Sequence, residues 1–362
     1  MTSSSNRVAF RDPVPTTLTA DNFRQTVDRT LIHREALGEV FLTDVVQISE
    51  IEFAAAAQLP RSHAYYGDHN QRVVRYDPVL LLEASRQTGL AIAHRFCGVP
   101  FDHKFILTRL DIRIDQLSTI VVESRPAQLV ATARIVDQRT RDGKVTGIEL
   151  HLELAELITG RIGSAHVGLR FRSSRAYHEL RTQNRGGRAL PSTATYRPYH
   201  RAVPAIPAAV GRRDRRNVIV SQPTTVDGVV VADLLLPTTH PSMFDHPQDH
   251  IPGMVLIEAA RQVAIAGLAD QHGFDPARIQ VRGLTSKFTK FAELEPITRL
   301  IATVGPSSAE KRFGDIQAHS IQLERHADRA DVPVAVELYQ EGDVVCGVTT
   351  TLRVVSTDPR EN

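Results

Sequence analysis

The stretch "DHPQDHIPGMVLIEAARQ", residues 245–262, contains an apolar run that is interrupted by Glu258, Arg261 and Gln262. Nearly the same letters occur earlier as "YDPVLLLEASRQ", residues 76–87. With an offset of 175 residues, five of the nine positions in "VLLLEASRQ" and "MVLIEAARQ" are identical, including the glutamate, the arginine and the glutamine. A true domain repeat extends beyond one such segment, so the flanking sequence decides whether the chain contains two similar modules.

The flanking sequences of the two copies also correspond. A polar loop that contains histidine precedes each apolar run, with a proline at the entrance of the helix. A turn that contains glycine or proline follows each run. The runs are apolar on nearly every side, which predicts enclosed helices over residues 79–95 and 254–271. Alternating and β-branched residues predict antiparallel strands around each helix. These strands cover residues 39–49, 105–114, 127–137, 146–157 and 161–171 in the first half, and 229–236, 279–288, 298–304, 315–325, 334–340 and 344–355 in the second.

One long helix wrapped by an antiparallel sheet is the hot-dog architecture. The sequence therefore predicts an α+β fold, a tandem (double) hot-dog with domains at residues 25–172 and 217–356. Between them, residues 173–216 hold ten arginines, several prolines and a Gly-Gly pair, a composition typical of a solvated linker. Two like modules in one chain predict a pseudo-symmetric pair with binding sites between the copies.

The composition limits the functional classes. With 362 residues the chain is long enough for two domains. Its net charge of +2 gives no electrostatic support for nucleic-acid binding, and its longest apolar runs are too short to cross a bilayer. Residues 1–17 lack the apolar core of a secretory signal, and the sequence has only two cysteines. We therefore expect a cytoplasmic protein without a disulfide framework.

Each predicted helix carries glutamate, arginine and glutamine at positions i, i+3 and i+4, which lie on one helix face. The two triads are Glu83, Arg86 and Gln87 in the first copy and Glu258, Arg261 and Gln262 in the second. One interpretation is an ion pair that docks one copy on the other. The other is a functional site, and the residues alone leave both open.

The loop before the second helix favours a functional site. It contains two histidines with carboxylates able to orient them: Asp245, His246, Asp249 and His250. This combination suits general acid–base catalysis. At the helix entrance, Pro252 and Gly253 leave backbone N–H groups and the positive end of the helix dipole available to a developing oxyanion. Pro247 disfavours a helical His-x-x-x-His zinc site, and no glycine-rich phosphate or dinucleotide motif is present, so we expect no metal and no cofactor.

These stretches, together with "VDRTLIHREALGEVFLTDV" at residues 27–45, resemble the A-factor biosynthesis proteins, the AfsA-type gamma-butyrolactone synthases. The resemblance covers roughly residues 25–355 and implies two AfsA-like hot-dog repeats. It implies transfer of a β-ketoacyl group from an acyl carrier protein to the hydroxyl of dihydroxyacetone phosphate. That reaction is an early step toward a butyrolactone-type signalling molecule.

The implied reaction assigns roles to the candidate residues. The general base would be His246, His250 or Glu258, and Asp249 would orient a histidine. Arg261 or Arg86 would bind the phosphate through a fork of donors. The remaining candidate substrate-binding residues are Gly253, Gln262, Glu83, Gln87 and His69. We interpret His33 and Arg34 as a polar pair at a strand edge, and leave open whether double hot-dogs form homo-oligomers.

Two alternatives remain at this stage of the argument. Hydroxyacyl-carrier-protein dehydratases of the same fold use a histidine and a helix glutamate fourteen residues later. His69 and Glu83 have that spacing, whereas Phe244 occupies the position in the second copy that an offset of 175 assigns to His69. A split site that joins His69 to Glu258 would still permit dehydration. The second alternative is a non-catalytic protein that binds acyl chains or butyrolactones in regulation.

Overall fold

The computed structural model describes residues 18–198, 202–305 and 331–355. Within these residues twelve strands form one continuous sheet. The strands of the first half are β1 (Leu42–Gln47), β2 (Glu52–Leu59), β3 (Lys104–Ile114), β4 (Ala127–Arg141), β5 (Lys144–Glu156) and β6 (Gly160–Arg172). Those of the second half are β7 (Thr224–Val226), β8 (Val229–Asp233), β9 (Ile279–Phe288), β10 (Arg299–Val304), β11 (Asp331–Gln340) and β12 (Asp343–Val354).

The order of the strands shows two copies of one module. It runs β1-β2-β4-β5-β6-β3-β9-β12-β11-β10-β8-β7, so that the second half repeats the first in reverse. The halves join at the centre, where β3 pairs antiparallel with β9 and Leu110 lies opposite Ser286. The predicted tandem hot-dog is confirmed. The join at β3 and β9 places the two modules edge to edge in one sheet, so that a site between them can draw residues from both.

The central helices lie where the sequence predicts them. They are α1 (Pro78–Phe96) and α3 (Gly253–His272). Asp77 caps α1 by accepting the Val79 N–H, and α3 ends at Gly273, whose φ of 68° is left-handed. Most of their residues are buried on all sides because the sheet encloses them. No helix within the described part of the chain is long and apolar enough to span a membrane.

Two strands of the sheet were not predicted, the three-residue edge strand β7 and the longer strand β2. β2 has the sequence "EFAAAAQL" and pairs with β1 on one side and β4 on the other. Alanine has a low preference for strands, so the local sequence carries little strand signal, and pairing on both sides supplies the stabilisation instead. The predicted strand at residues 315–325 lies outside the described residues.

The prediction of a solvated linker is wrong for much of residues 173–216. A third helix, α2 (Ser174–Asn184), begins there, capped by Ser173. Arg181 and Arg185 are buried, and both form ion pairs with Glu293. Their partner lies about 110 positions further along the chain, so no local pattern in the sequence distinguishes these arginines from solvated ones.

Candidate active site

The repeat extends upstream of both helix triads. Short 3-10 turns at residues 29–32 and 207–210 start 178 positions apart and end in left-handed residues. These residues are His33, with φ of 55°, and Gly211, with φ of 76°. A histidine in this conformation is uncommon, whereas glycine adopts it freely. The two turns therefore present equivalent backbone to the two helices.

An arginine follows each left-handed residue and pairs with the glutamate of the helix triad. Arg34 lies 2.6 Å from Glu83, and Arg212 lies 2.6 Å from Glu258. Both glutamates are fully buried. The interpretation of Arg34 as a strand-edge residue is wrong, because it follows a 3-10 turn and its charge meets a buried carboxylate. The helix motif alone does not reveal either arginine.

The glutamines of the triads hold the helices to these upstream segments. Gln87 donates to the carbonyl of Glu39 at 2.8 Å, and Gln262 donates to the carbonyl of Asn217 at 2.7 Å. Both side chains are fully buried. These contacts favour an anchoring role for the two glutamines over the predicted contact with substrate.

Glu258 lies at the centre of a buried ion-pair network. It accepts hydrogen bonds from Arg212, from Arg261 and from the hydroxyl of Tyr65, the last at 3.1 Å. Burial alone would raise the pKa of Glu258, but the charges of Arg212 and Arg261 outweigh burial and lower it. A carboxylate held as an anion with its acceptor sites occupied is poorly suited to act as a general base.

The entrance of α1 is closed by the same network. Arg261 crosses from the second module to Asp77, with contacts of 2.6 and 2.7 Å, and His69 lies 3.2 Å from the same carboxylate. The cavity that remains there has a volume of about 20 Å³, about enough for one water molecule. A split dehydratase site of His69 and Glu258 therefore has no room for an acyl thioester.

The entrance of α3 is open. Pro252, which takes the place that Asp77 has before α1, offers no side chain to cap the helix. Arg86, the equivalent of Arg261, bonds Glu83 through Nε at 2.7 Å and Nη2 at 2.8 Å. Its Nη1 has no partner among the described residues and faces a cavity of about 1130 Å³ lined by both modules. At the position directly before the helix, one entrance has a carboxylate that Arg261 reaches, and the other has a proline.

Gly253 allows the wall of this cavity to approach the start of α3. A Cβ atom at this position would lie 2.9 Å from the ring of Phe288 and 3.1 Å from Leu107, and the first of these distances is shorter than real Cβ contacts. Gly253 and Met254, the first two residues of α3, both line the cavity, and their N–H groups have no partner among the described residues. A helix start of this kind can stabilise a developing oxyanion.

The first of two Asp–His pairs in the cavity is formed by Asp249 and His250. Nδ1 of His250 lies 2.6 Å from Oδ1 of Asp249, and Nε2 has no partner among the described residues. Burial opposes ionisation of Asp249, but the hydrogen bond and charge of His250 and the charge of Arg181 lower its pKa to about 2. Asp249 is therefore an anion that can orient the imidazole and stabilise its protonated form.

The second pair, Asp245 and His246, lies beside the first triad. Nδ1 of His246 is 2.6 Å from Asp245, and Nε2 is hydrogen-bonded by the side chain of Gln248. Arg34 donates to Asp245 at 3.1 Å while it holds Glu83. This pair is thus connected to the ion-pair network of α1 in the other module.

The loop contacts correct the alignment of the histidines. The N–H of Gly67 donates to the carbonyl of His63 at 2.9 Å, and that of Phe244 donates to the carbonyl of His240 at 2.9 Å. Phe244 is therefore the equivalent of Gly67 and does not replace His69. The second loop is two residues shorter before its helix, which a constant offset of 175 cannot represent.

The structure separates the predicted site residues into two groups. Those that line the large cavity are His246, Asp249, His250, Gly253 and Arg86. Those that lie in the buried networks outside it are Glu83, Gln87, His69, Glu258, Arg261 and Gln262. Cavity-lining residues that the sequence did not single out include Lys104 and Tyr177.

The chain is similar to known proteins over most of its length. The family model described as "A-factor biosynthesis hotdog domain" matches residues 16–162 and 193–356. A "2-oxo-3-(phosphooxy)propyl 3-oxoalkanoate synthase" from Streptomyces virginiae is 34% identical over 75% of this chain and 84% of its own length. A protein of the same name from Streptomyces griseus subsp. griseus is 30% identical over 83% of this chain and 88% of its own length. Among solved structures, a pyran synthase domain from module nine of the sorangicin pathway aligns with a TM-score of 0.48 and 14% identity, covering 88% of this chain and 98% of that domain.

Proposed function

Because the chain belongs to the A-factor biosynthesis hotdog family, we propose that it transfers a β-ketoacyl group from an acyl carrier protein to the hydroxyl of dihydroxyacetone phosphate. The protein is an acyltransferase-type enzyme, like its curated relatives of 29 to 34% identity. The product named for those relatives, a 2-oxo-3-(phosphooxy)propyl 3-oxoalkanoate, is the ester that this reaction forms. The ester is an early precursor of a gamma-butyrolactone-type signalling molecule.

The open entrance of α3 carries the proposal. One cavity brings together an uncapped helix N-terminus, two Asp–His pairs and cationic side chains from the other module. These are the groups that ester formation with a phosphorylated alcohol requires: donors for an oxyanion, a base for the hydroxyl and cations for the phosphate. The closed entrance of α1 offers none of these to a substrate, which favours a single active site in the pair.

Arg86 and Lys104 are the residues we assign to the phosphate. Both line the cavity. Glu83 holds Arg86 through Nε and Nη2, and Nη1 has no partner in the part of the chain that the structure describes. A fixed guanidinium binds a phosphate with a defined geometry, and the ammonium group of Lys104 adds charge. Arg34 is less suited, because Glu83 and Asp245 already neutralise it.

His250 is the residue we assign as the base. Within the described ranges no group contacts its Nε2, whereas Gln248 already contacts Nε2 of His246. As the hydroxyl oxygen bonds to the thioester carbonyl carbon, His250 takes the hydroxyl proton, and the N–H groups at Gly253 and Met254 stabilise the negative carbonyl oxygen. The carbon–sulfur bond then breaks, and His250 returns the proton to the departing thiolate.

The acyl chain is assigned to the apolar part of the same cavity. Its lining includes Leu90, Leu107, Leu169, Leu256 and Phe288. An apolar wall favours an alkyl chain through burial of its surface. The partner that delivers the chain is an acyl carrier protein, and the proposal places the reaction in the cytoplasm, consistent with the free thiols of Cys97 and Cys346.

Mass spectrometry of the purified protein with β-ketoacyl carrier protein tests the proposal. We expect a phosphorylated ester and free carrier thiol only when dihydroxyacetone phosphate is added. Unphosphorylated dihydroxyacetone is the matched control and should react poorly. Free β-keto acid in place of the ester would contradict the proposal, as would no reaction of the carrier thioester.

A further inference from the structure

The segment between the two modules supplies part of the active-site wall. Helix α2 presents Tyr177 and Arg181 to the loop that carries the Asp249–His250 pair. Both side chains are buried, Arg181 completely. Neither belongs to the repeated helix triads or to the loop motif.

Tyr177 contacts the carboxylate that orients His250. Its hydroxyl donates to both oxygens of Asp249, at 2.9 and 3.1 Å. Burial and the charge of Asp249 raise the pKa of Tyr177 far above its ordinary value, so the hydroxyl remains a donor throughout the working pH range. The hydroxyl therefore holds the carboxylate together with the imidazole, and it lies 3.4 Å from Nδ1 of His250.

Arg181 fixes the backbone and the side chain of the same aspartate. Its Nη2 donates to the carbonyl oxygen of Asp249 at 3.0 Å, and Nε lies 3.4 Å from Oδ2. Glu293 neutralises the guanidinium group through a bidentate pair. The same group lies 4.4 Å from the centroid of the Phe291 ring, and this ring makes a T-shaped contact with His250 at a centroid distance of 5.2 Å.

This arrangement determines which nitrogen of His250 is basic. A carboxylate only accepts hydrogen bonds, so the 2.6 Å contact with Asp249 places the proton of neutral His250 on Nδ1. Nε2 then carries the lone pair of an imidazole that lines the cavity. Any displacement of Asp249 would release the ring and this tautomer together.

We propose that Tyr177 and Arg181 are positioning residues, which hold Asp249 and through it orient His250 for proton transfer. The inference rests on the proposed function and adds a helix that the sequence places outside both hot-dog domains. It assigns no contact with substrate to either residue.

The test compares Tyr177→Phe with wild-type protein. The charged or titratable groups around His250 are Asp249, Tyr177, Arg181 and Glu293. Removing the tyrosine hydroxyl leaves the charge of Asp249 less neutralised, so we expect the pKa of His250 to rise in an NMR titration. The limb of the kcat/KM profile on which His250 loses its proton should move to higher pH. We expect kcat to fall about tenfold, with KM for dihydroxyacetone phosphate within about twofold of wild type.

Arg175→Ala is the control on the exposed face of the same helix, where Arg175 forms an ion pair with Glu179. Arg181→Lys is the second variant and should also lower kcat, because an ammonium group cannot satisfy both Asp249 and Glu293. If Arg181→Lys fails to fold, Tyr177→Phe still tests the inference, because phenylalanine keeps the buried ring and removes only the hydroxyl. A Tyr177→Phe protein with the kcat and the His250 titration of Arg175→Ala would overturn the inference, as would loss of activity that only matches loss of folded protein. The proposed function alone would be refuted if wild-type protein forms no ester and the His250 titration still shifts in Tyr177→Phe.

Discussion

Substitution of Glu258 by glutamine separates a structural role from a catalytic one. Glu258 is fully buried and accepts hydrogen bonds from Arg212, Arg261 and Tyr65. Without the charge of Glu258, Arg261 still has Asp77 as an ion-pair partner. Arg212 then has only the backbone carbonyls of Tyr65 and Asp68 as partners among the described residues. Removing one partner of a buried ion pair costs about 3–5 kcal/mol, and we expect a loss of this size in the free energy of unfolding.

Urea unfolding followed by circular dichroism measures this loss. The double variant Glu258→Gln/Arg212→Met removes both charges, so it should recover much of the stability that Glu258→Gln loses. Glu83→Gln is the matched control in the other module, where Arg34 keeps Asp245 as a partner, and should cost less. The reasoning is refuted if Glu258→Gln unfolds like the wild type and yet forms no ester, since the carboxylate would then act in the reaction.

Three further predictions concern the open entrance of α3. Arg86→Lys should raise KM for dihydroxyacetone phosphate about tenfold or more, with a smaller effect on kcat, in steady-state kinetics. The reason is that an ammonium group cannot keep the bidentate contact with Glu83 and also reach the phosphate. Equal effects with an unphosphorylated acceptor would contradict this prediction. Gly253→Ala should lower kcat and cost about 1–3 kcal/mol, because its Cβ would lie 2.9 Å from Phe288, and Phe288→Leu in the same chain should restore part of both in thermal melts and assays. The pKa of Asp249 in the folded protein is about 2, which is lower than in the unfolded chain. The ionised carboxylate therefore contributes about 2 kcal/mol to the free energy of unfolding above its unfolded pKa, and this contribution is lost as the pH falls toward 2. The free energy of unfolding measured between pH 5 and 2 should fall less steeply in Asp249→Asn, and an unchanged slope would count against this assignment.

The fold could be predicted because its signal is repeated and local. The apolar runs around Glu83 and Glu258 differ from ordinary amphipathic helices, since the sheet covers them on all sides. Most strands alternate clearly. β2 lacks this alternation. Its alanines pair with β1 and β4 although alanine has no strong preference for strands.

The sequence also brings the candidate residues of the loop together, since His246, Asp249, His250 and Gly253 are neighbours along the chain and line one cavity. Arg34 and Arg212 could have been found by comparing the upstream segments with an offset of 178 instead of 175. Tyr177 gave no such signal, because its partner Asp249 is 72 residues away.

The sequence by itself determined that two like modules exist, that each encloses one helix, and that polar groups gather before the second helix. Hydrophobic periodicity and residue chemistry are local properties, so they can be recognised in a single amino-acid sequence. Only the tertiary structure decided which entrance is open. Asp77 meets Arg261 across the two modules and closes one entrance, while Pro252 leaves Arg86 facing a cavity at the other. The reason is that an ion pair requires two charges within a few ångströms, and the distance between residues remote in the chain is set by folding alone.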